Sequence, residues 1–449
     1  MRAIVTYGRA WSALAAARSL GKRGIEVVVG DEYEFAPAGL SKYAVAKFLY
    51  PNPDREPEAF LDTLEEVIRR YKPADGEEYV LMPVHKEAYL IARHRARFEP
   101  LIRMALPTIE QIEQVHDKGT LARYCKREGL PIPRTIVPET SQEFMDAAAG
   151  FVYPAFVKVR QSAAAVGVKK VGSLNEAVQA FDLFVKDLEL GPGSYPLLQE
   201  GISGDDYCAT FLFDRGELRA AMTYHNLRSF PAKSGTGVLR ETVKAPTIEA
   251  IGAELLTRLQ WHGVAEIDFR WAGKEDSPAY LIEVNPRFWG GMPQAVEAGW
   301  DYPHLLYRLA VDGKVDPVEP HESDVRTETP VMGLLATLHE VIHDEPRMDA
   351  MKKAFEGLRK AYVRGNRRRA LRAFVGRFKD ATDVRGRLER MKELFRDHRN
   401  AVSDVFKWED PLPALGFLYP MAVFLKHGKV STELLVSEGR AGMKVSARS

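Results

Sequence analysis

The sequence predicts an α/β protein. We expect an N-terminal parallel-sheet domain of nucleotide-binding type, then an α+β pair of subdomains, then a helical C-terminal extension. Three observations carry this prediction: strand and helix patterns alternate in the first 110 residues, short polar turns join strand patterns between residues 150 and 290, and the chain beyond residue 340 is basic and helical. The predicted boundaries are 1–110, 111–195, 196–330 and 331–449.

Composition excludes several classes of protein. The 449-residue chain has a formal net charge of +1, so no global field favours a nucleic-acid or membrane partner. No window reaches the roughly 18 apolar residues of a membrane span. The N terminus enters a strand pattern at once, which leaves no room for a signal peptide. The two cysteines, Cys125 and Cys208, lack metal-ligand spacing and indicate buried structural residues in a reducing compartment. We therefore expect a cytoplasmic protein.

The first domain reads as alternating strands and helices. Strand patterns "AIVTYG" and "IEVVVGD" flank an Ala-rich helix that ends at Gly24. This order predicts parallel pairing with a right-handed crossover. The helix "PEAFLDTLEEVIRRYKP" and the strand "EYVLMPV" continue the pattern. The dinucleotide fingerprint is missing, because Arg9, Ala10 and Trp11 follow Gly8. We expect a domain that forms one wall of a substrate site and does not bind NAD.

The central part mixes helices with antiparallel strand pairs. We predict helices at 109–115, 117–128 and 247–260, and a long amphipathic helix in "LNEAVQAFDLFVKDLEL". "FVYPAFVKVRQSAAAVGVKKV" predicts two strands joined by a loop, and "DRG" predicts the turn of a hairpin. The last two strands, "GVAEIDFRW" and "AYLIEVNPR", flank a polar turn.

Those last two strands place acids on one face. Pairing them about the turn sets Asp268 nearly opposite Glu283, and the two-residue period of a strand puts Glu283 and Asn285 on the same side. Carboxylate and amide oxygens suit Mg²⁺. The alternative is a surface hairpin in which Arg270 and Arg287 neutralise the acids.

Two lysines lie upstream of this hairpin. Lys158 stands in the apolar strand "AFVKV" and needs an anionic partner, which a phosphate would supply. Lys118 opens a helix at "HDKG", where backbone amides and the ammonium group would meet one phosphate, although Lys118 alone also fits a solvated residue. "LLQEGISGDD" combines an apolar strand with an exposed turn, suited to an adenine edge, and Asp206 is placed to bind ribose.

In this order the motifs resemble the ATP-grasp superfamily over roughly residues 1–330, with an N-terminal domain of biotin-carboxylase type; "EVNPRFWGG" is the most specific match. The resemblance implies that ATP and two Mg²⁺ ions (Mn²⁺ is compatible) bind here, and that Arg287 stabilises the reacting intermediate. The implied ligands are Lys118, Lys158, Ser162 and Gly167 for phosphate, Gln199, Glu200 and Ile202 for adenine, Asp206 for ribose, and Asp268, Glu283 and Asn285 for metal.

The resemblance also implies a reaction. An ATP-dependent carboxylate–amine ligase would join a small carboxylic acid to an amine through an acyl phosphate. Two alternatives stay open: an enzyme that phosphorylates or carboxylates a small molecule, like carbamoyl-phosphate synthase, and a nucleotide-binding module without turnover. The phosphate-covering loop "RQSAAAVGVKK" is richer in alanine than is usual for the family, so it should be stiffer. Glu266 stands where ligases of two D-alanines have arginine, which argues against that substrate.

Residues 224–243 contain four basic side chains and several glycines and prolines, which predicts a loop over the site. The alternative is a solvated loop. In the functional interpretation, Arg228 and Arg240 hold a carboxylate or the γ-phosphate and count as catalytic residues with Arg287.

The stretch 352–399 contains seventeen Lys/Arg and six Asp/Glu, a net charge of +11, so the remainder of the chain carries −10. Apolar Leu371, Phe374 and Phe378 recur at helical spacing. One interpretation is a helix packed on the core with a solvated basic face. The other is a surface that binds an anionic membrane, which would place the protein at the membrane periphery. Nucleic acid is disfavoured because interleaved aromatic residues are few. A homodimer remains compatible with the sequence.

Overall fold

The computed structural model describes residues 1–161, 167–230, 235–320, 323–330 and 398–417, together with residues 332, 333, 392 and 396. Most of the basic stretch 352–399, including Leu371, Phe374 and Phe378, lies outside the described residues, so its predicted helix and its predicted anionic partner are untested. Within the described ranges, no helix has both the length and the apolar character needed to cross a membrane.

The N-terminal domain is the predicted parallel α/β unit. Its four strands are all parallel and lie in the order β3-β2-β1-β4. The chain order reverses between β1 and β4, and in such sheets the crevice at the carboxyl ends of the strands is where ligands bind. The third strand was not predicted, because intermediate and exposed residues alternate along it and leave no buried apolar face. The elements are β1 (Arg2–Val5), α1 (Trp11–Gly21), β2 (Glu26–Asp31), β3 (Ala44–Leu49), α2 (Pro57–Arg70), β4 (Tyr79–Met82), α3 (Glu87–Arg93) and α4 (Arg95–Phe98).

A small antiparallel sheet follows, with its strands in the order β5-β8-β6-β7. Its helices begin where polar side chains accept hydrogen bonds from backbone N–H groups, at Thr108, Asp117, Thr140 and Ser173. The change of sheet comes after Glu200, five residues beyond the predicted boundary, because β8 pairs with β6. The elements are α5 (Ile109–His116), α6 (Lys118–Glu128), β5 (Thr135–Ile136), α7 (Ser141–Ala149), β6 (Ala155–Lys158), β7 (Val168–Val171), α8 (Leu174–Leu188) and β8 (Leu197–Glu200).

The large sheet has seven strands in the order β13-β12-β9-β10-β11-β14-β15. The predicted hairpin at 214–216 joins its third and fourth strands in this order. The elements are β9 (Asp205–Asp214), β10 (Glu217–Phe230), β11 (Thr236–Val243), α9 (Pro246–Arg258), β12 (Gly263–Trp271), β13 (Tyr280–Asn285), α10 (Met292–Glu297), α11 (Tyr302–Asp312), β14 (Arg326–Glu328) and β15 (Val402–Ser403).

The N-terminal domain and the large sheet share one hydrophobic core. Buried residues of β1 and α1, such as Val5 and Leu14, belong to the same cluster as Trp289, Met292 and Tyr302. This common core brings the carboxyl ends of β1 and β4 toward the end of β13. The candidate site described below lies at that end of β13.

The loop predicted at 224–243 is wrong: the residues described there form the end of β10 and all of β11. The strands pair through bulges between Asn226 and Ser229. Gly237 is needed for this pairing, since a Cβ atom there would lie 1.8 Å from Asn226 Oδ1. Gly237, one of the residues that suggested a loop, therefore permits close strand contact.

The chain returns to the large sheet after the basic stretch. β15 pairs in parallel with β14, with Thr327 opposite Val402. Asp410 then contacts the N-terminal domain, where its Oδ2 lies 2.8 Å from Arg18 Nε. The predicted region 331–449 is therefore partly built into the core, because two of its residues are a strand of the large sheet.

Candidate active site

The pairing of β12 with β13 sets the site. Asp268 lies opposite Glu283 and Glu266 opposite Asn285, which confirms the predicted register. The strand period then places all four side chains on one face. Glu266 was not predicted as a site residue. Its position two residues before Asp268 could have identified it, because residues two apart on a strand lie on the same face.

Asp268 lies among other acids. Burial raises its pKa well above the ordinary value, and the nearby Glu266 and Glu283 raise it further. The Cys208 thiol donates to Asp268 Oδ1 over 3.1 Å, and burial raises the pKa of this thiol as well. One ligand atom each from Cys208, Glu266 and Asp268 lie within 4.8 Å of one another. A face of this kind is stabilised by a cation. The predicted structural cysteine therefore lies within the site.

Glu266 orients Asn285. Asn285 Nδ2 donates to Glu266 Oε2 over 3.1 Å, and the Tyr224 hydroxyl donates to the other oxygen of Glu266. On its other side, Asn285 Oδ1 accepts from Arg287 Nη2 over 3.2 Å. The amide oxygen of Asn285 thus points away from Glu266, toward Arg287.

Two buried lysines face the acids. Lys118 is 8% exposed, and its Nζ lies 3.4 Å from Glu283 Oε2, so the solvated interpretation is wrong. Lys158 is 9% exposed and donates to the neutral Gln199 Oε1 over 2.6 Å. In the described part of the chain, no carboxylate lies within 4.0 Å of Lys158 Nζ. Burial and the neighbouring Lys118 lower the pKa of Lys158 to about 8. The ammonium group of Lys158 therefore has no nearby carboxylate as counter-ion in the described part of the chain, and a bound phosphate would serve as one.

The surface-hairpin alternative is also wrong. Arg270 Nη2 lies 3.0 Å from Asp206 Oδ1, on the neighbouring strand. Among the described residues, Arg287 donates only to neutral oxygens, those of Asn285 and of the Phe288 backbone. Neither arginine therefore forms an ion pair with Asp268 or Glu283 in this part of the chain.

The residues expected around the nucleotide flank the lysines. Gln199 Nε2 donates to Thr135 Oγ1 over 3.0 Å, while Glu200 and Ile202 are half-buried at the end of β8. Gly167 has a φ of 73°, which favours glycine, and its carbonyl accepts from Val159 N–H over 2.8 Å, one residue from Lys158. Ser162 lies outside the described residues.

The other two predicted catalytic arginines occupy different environments. Arg240 is 2% exposed, and its Nη1 lies 2.8 Å from Asp404 Oδ2, so its charge is already balanced within the chain. Nothing in the sequence indicates this partner, which lies 164 residues away. Arg228 is half-buried in β10, opposite Leu239 and two residues from Asn226, whose amide contacts the Cys208 thiol.

A solvent-open cavity of about 540 Å³ adjoins the acidic face. Residues 283–287 form one wall, and residues of the N-terminal domain and α5 form the other, among them His85, Lys86, Tyr89 and His116. None of these four was predicted. The signal was the position of His85 and Lys86 just beyond β4, at the point where the strand order reverses.

The comparisons agree with this architecture. Residues 197–330 match the family model described as "ATP-grasp in the biosynthetic pathway with Ter operon". The chain resembles the biotin carboxylase domain of Hydrogenobacter thermophilus 2-oxoglutarate carboxylase, solved with MgADP, ADP and bicarbonate, with a TM-score of 0.56 and 16% identity over 72% of each chain.

Two further structures resemble the chain at 16% identity. Staphylococcus aureus N5-carboxyaminoimidazole synthetase, complexed with ADP, has a TM-score of 0.55 over 77% of this chain and 86% of that one. Bacillus licheniformis L-amino acid ligase has a TM-score of 0.52 over 71% of this chain and 77% of that one. These comparisons confirm the ATP-grasp resemblance and the fold class predicted from the sequence.

Proposed function

We propose that this chain, which has the ATP-grasp fold, is an ATP-dependent carboxylate–amine ligase. The observation that carries the proposal is the meeting of Asp268, Glu283 and Asn285 with two buried lysines, 118 and 158, at one end of the large sheet. Acids on one side and lysines on the other match the needs of a nucleotide triphosphate with its metal ions.

The residues present fit Mg²⁺. Asp268, Glu283 and Asn285 offer hard oxygen ligands, and the acids around Asp268 leave that face in need of positive charge. When bound, Mg²⁺ neutralises the phosphate charge that develops during phosphoryl transfer. Cys208 is a thiol that donates to Asp268, so we assign it to the orientation of that carboxylate.

In the proposed reaction, a carboxylate oxygen of the acid substrate attacks the γ-phosphorus of ATP. The bond between that phosphorus and the β,γ-bridging oxygen breaks, giving an acyl phosphate and ADP. The amine nitrogen then attacks the acyl carbon, the carbon–oxygen bond to phosphate breaks, and the nitrogen loses a proton. The products are an amide, ADP and inorganic phosphate.

The chain contributes positioning and charge. Lys158 and Lys118 would hold the phosphates, the end of β8 at Glu200 and Ile202 would bind adenine, and Asp206 the ribose. Arg287, which has no ion-pair partner among the described residues, would stabilise the negative charge of the reacting acyl group. We assign Arg240 to support behind the site, and Arg228 remains a proposed substrate contact.

Carboxylation is the second candidate, since one of the similar structures is a biotin carboxylase domain and another is named a carboxyaminoimidazole synthetase. ADP release should be measured with Mg²⁺, a panel of small acids and a panel of amines, with bicarbonate as a separate addition. The ligase proposal expects release that requires both an acid and an amine. Release that requires bicarbonate and no amine would favour carboxylation, and no release under any condition would contradict both.

We further propose that the first domain ends near residue 110, a few residues after the last bridge to the parallel sheet, between Val80 and Arg103. The small subdomain would end at the change of sheet after Glu200, and the large one includes residues 402–403.

A further inference from the structure

Arg160 joins the end of β6 to two other segments of the chain. It follows Lys158 by two residues and is 9% exposed. Its Nε lies 3.0 Å and its Nη2 2.9 Å from Asp117 Oδ1, and its Nη1 donates to the Gly193 carbonyl. The carbonyl of Arg160 accepts from the Lys118 N–H over 3.0 Å. Arg160 therefore holds the start of α6 through both its side chain and its backbone.

Asp117 is the cap of α6, the helix whose first residue is Lys118. Its Oδ1 accepts from the Thr120 N–H over 2.8 Å, and both of its oxygens lie within 3.1 Å of Arg160 Nε. Burial alone would raise the pKa of Asp117, but the Arg160 guanidinium and the N–H groups at the start of the helix hold that pKa below its ordinary value. The carboxylate is therefore charged, and one ion pair links the cap of α6 to the end of β6.

Gly119 shows how closely the guanidinium lies against α6. A Cβ atom at this position would lie 2.8 Å from Arg160 Nε and 2.9 Å from Val137 Cγ1. A glycine therefore leaves the room that the ion pair occupies. The pair is also shielded from solvent, since the side chains of Arg160 and Asp117 are 10% and 14% exposed. Two guanidinium nitrogens on one buried carboxylate fix the relative orientation of the two partners.

The two lysines proposed to hold phosphate lie on the two elements that this ion pair connects. Lys158 is the last residue of β6, and Lys118 is the first residue of α6. Burial and the charge of Lys118 lower the pKa of Lys158 to about 8, so the two ammonium groups lie close enough to repel each other. Keeping like charges at a fixed distance requires a rigid connection between the elements that carry them. Arg160 and Asp117 provide that connection.

We propose that Arg160 is a positioning residue for nucleotide binding: through Asp117 it sets the place of Lys118 relative to Lys158, so that both ammonium groups meet the phosphates of ATP. The inference rests on the proposed roles of the two lysines and adds a residue that the sequence motifs did not single out. Arg160 itself would not contact the nucleotide, because its guanidinium is occupied by Asp117 and the Gly193 carbonyl.

The test is isothermal titration calorimetry of the full chain with Mg²⁺ and a non-hydrolysable β,γ-imido analogue of ATP. Arg160→Met and Asp117→Asn should each weaken binding about fivefold or more, within the range of coupling between residues of one hydrogen-bonded network. Asparagine keeps an oxygen for the Thr120 N–H, so Asp117→Asn removes the ion pair and retains the cap. The two substitutions change the net charge in opposite directions. An effect of charge alone would weaken binding in Arg160→Met and strengthen it in Asp117→Asn, and that result overturns the proposal.

A double-substitution cycle tests whether Arg160 acts through Lys118. Lys118→Met alone should weaken binding about tenfold or more. In that background, Arg160→Met should weaken binding by less than about twofold further, because the group that Arg160 positions is gone. A full additional loss, or unchanged binding in Lys118→Met, overturns the proposal. Arg160→Lys keeps the charge but cannot contact Asp117 through two nitrogens, so its affinity should lie between those of the wild type and Arg160→Met.

Arg123→Met is the matched control, because Arg123 lies on the same helix in an exposed ion pair with Glu139. It should leave the affinity for the analogue unchanged. Urea unfolding of each variant separates loss of stability from loss of binding. Where Arg160→Met does not fold, Asp117→Asn and Arg160→Lys carry the test. Loss of stability in these two variants with wild-type affinity would show a purely structural ion pair and would contradict the positioning role.

This inference and the proposed ligase function fail in different ways. Calorimetry with the analogue measures binding without acid or amine, so a lack of amine-dependent ADP release would contradict the ligase and leave the binding results intact. Amine-dependent ADP release, together with wild-type affinity in Asp117→Asn and Arg160→Lys, would support the ligase and overturn the role of Arg160.

Discussion

Two buried groups of charged residues in this molecule differ in how their charges are balanced. Around Arg240, the guanidinium meets Asp404 at 2.8 Å, and the same carboxylate oxygen accepts from the Thr329 hydroxyl at 2.7 Å. Around Lys158, the ammonium group meets a neutral amide, and Asp268 is surrounded by other acids. The charges of the first group are balanced within the chain, whereas those of the second would be balanced only by phosphate and a cation. Buried charge thus stabilises the fold at one place and binds ligand at the other.

The largest effect is expected at Glu283. Glu283→Gln removes a proposed metal ligand with little change in volume, so ATP turnover should fall at least about 100-fold, the scale of losing one group that stabilises the transition state. ADP release in Mg²⁺ is the measurement, with circular dichroism to verify the fold. Turnover at the wild-type rate would contradict the metal assignment.

Arg240→Met should act on stability. It leaves Asp404 buried without its cation, which costs about 3–5 kcal/mol in the free energy of unfolding. Urea unfolding measures this loss, and nucleotide affinity should stay unchanged in the folded variant. Arg258→Met is the control, because Arg258 is 37% exposed and such ion pairs contribute about 0–1 kcal/mol. A stable Arg240→Met variant with weakened nucleotide binding would reverse the roles of the two groups.

Lys158→Met should give the opposite result. Loss of a charge-assisted hydrogen bond to phosphate costs about 1.5–3 kcal/mol, roughly 10- to 150-fold in ATP affinity. Stability should be equal or higher, because a buried charge without a counter-ion is removed. Calorimetric titration with ATP and urea unfolding provide the two measurements, and Lys169→Met on the neighbouring strand is the exposed control. Unchanged ATP affinity would show that Lys158 does not contact the nucleotide.

Glu266→Ala should raise the Mg²⁺ concentration needed for half-maximal ADP release by about 10-fold or more, the usual effect of losing a group that orients a metal ligand. Glu266→Gln keeps an oxygen that accepts from Asn285 Nδ2, so it should recover part of the loss. A fall in turnover without any change in Mg²⁺ requirement would contradict an orienting role.

The smallest expected effect is the change of ATP affinity with pH. Lys158 has a lowered pKa of about 8, and only its protonated form attracts phosphate. The affinity for ATP should therefore be highest below pH 8, where Lys158 is protonated, and should fall as the pH rises above 8. Lys158→Arg keeps its charge throughout this range and should bind ATP with less dependence on pH. Identical profiles for the two proteins would exclude Lys158 as the titrating group.

The local parts of this arrangement could be predicted from the sequence, and the long-range parts could not. Asp268 and Glu283 are joined by one polar turn, so turn length and strand period sufficed to pair them. The contact of Lys118 with Glu283 was not predicted, because no local pattern links residues so far apart; the family resemblance implied only that Lys118 binds phosphate and Glu283 binds metal. The ion pair of Arg240 with Asp404 was not predicted for the same reason, since nothing near Arg240 in sequence indicates Asp404.

The cavity wall shows a further limit of sequence analysis. His85 and Lys86 follow a strand and form no motif with their neighbours. Their importance comes from the order of the strands and from the core that joins two domains, and neither is visible in the sequence. A polar residue just after a parallel strand is nevertheless a usable signal once the strand order is known.

The pairing of β14 with β15 joins two strands that lie far apart in the sequence. Thr327 and Val402 are neighbours in the sheet, and the Arg240–Asp404 and Arg18–Asp410 ion pairs fix the returning segment. A single backbone cut between residues 334 and 391 would therefore leave two fragments that stay associated without a covalent link, because the strand pairing and both ion pairs join residues on opposite sides of the cut.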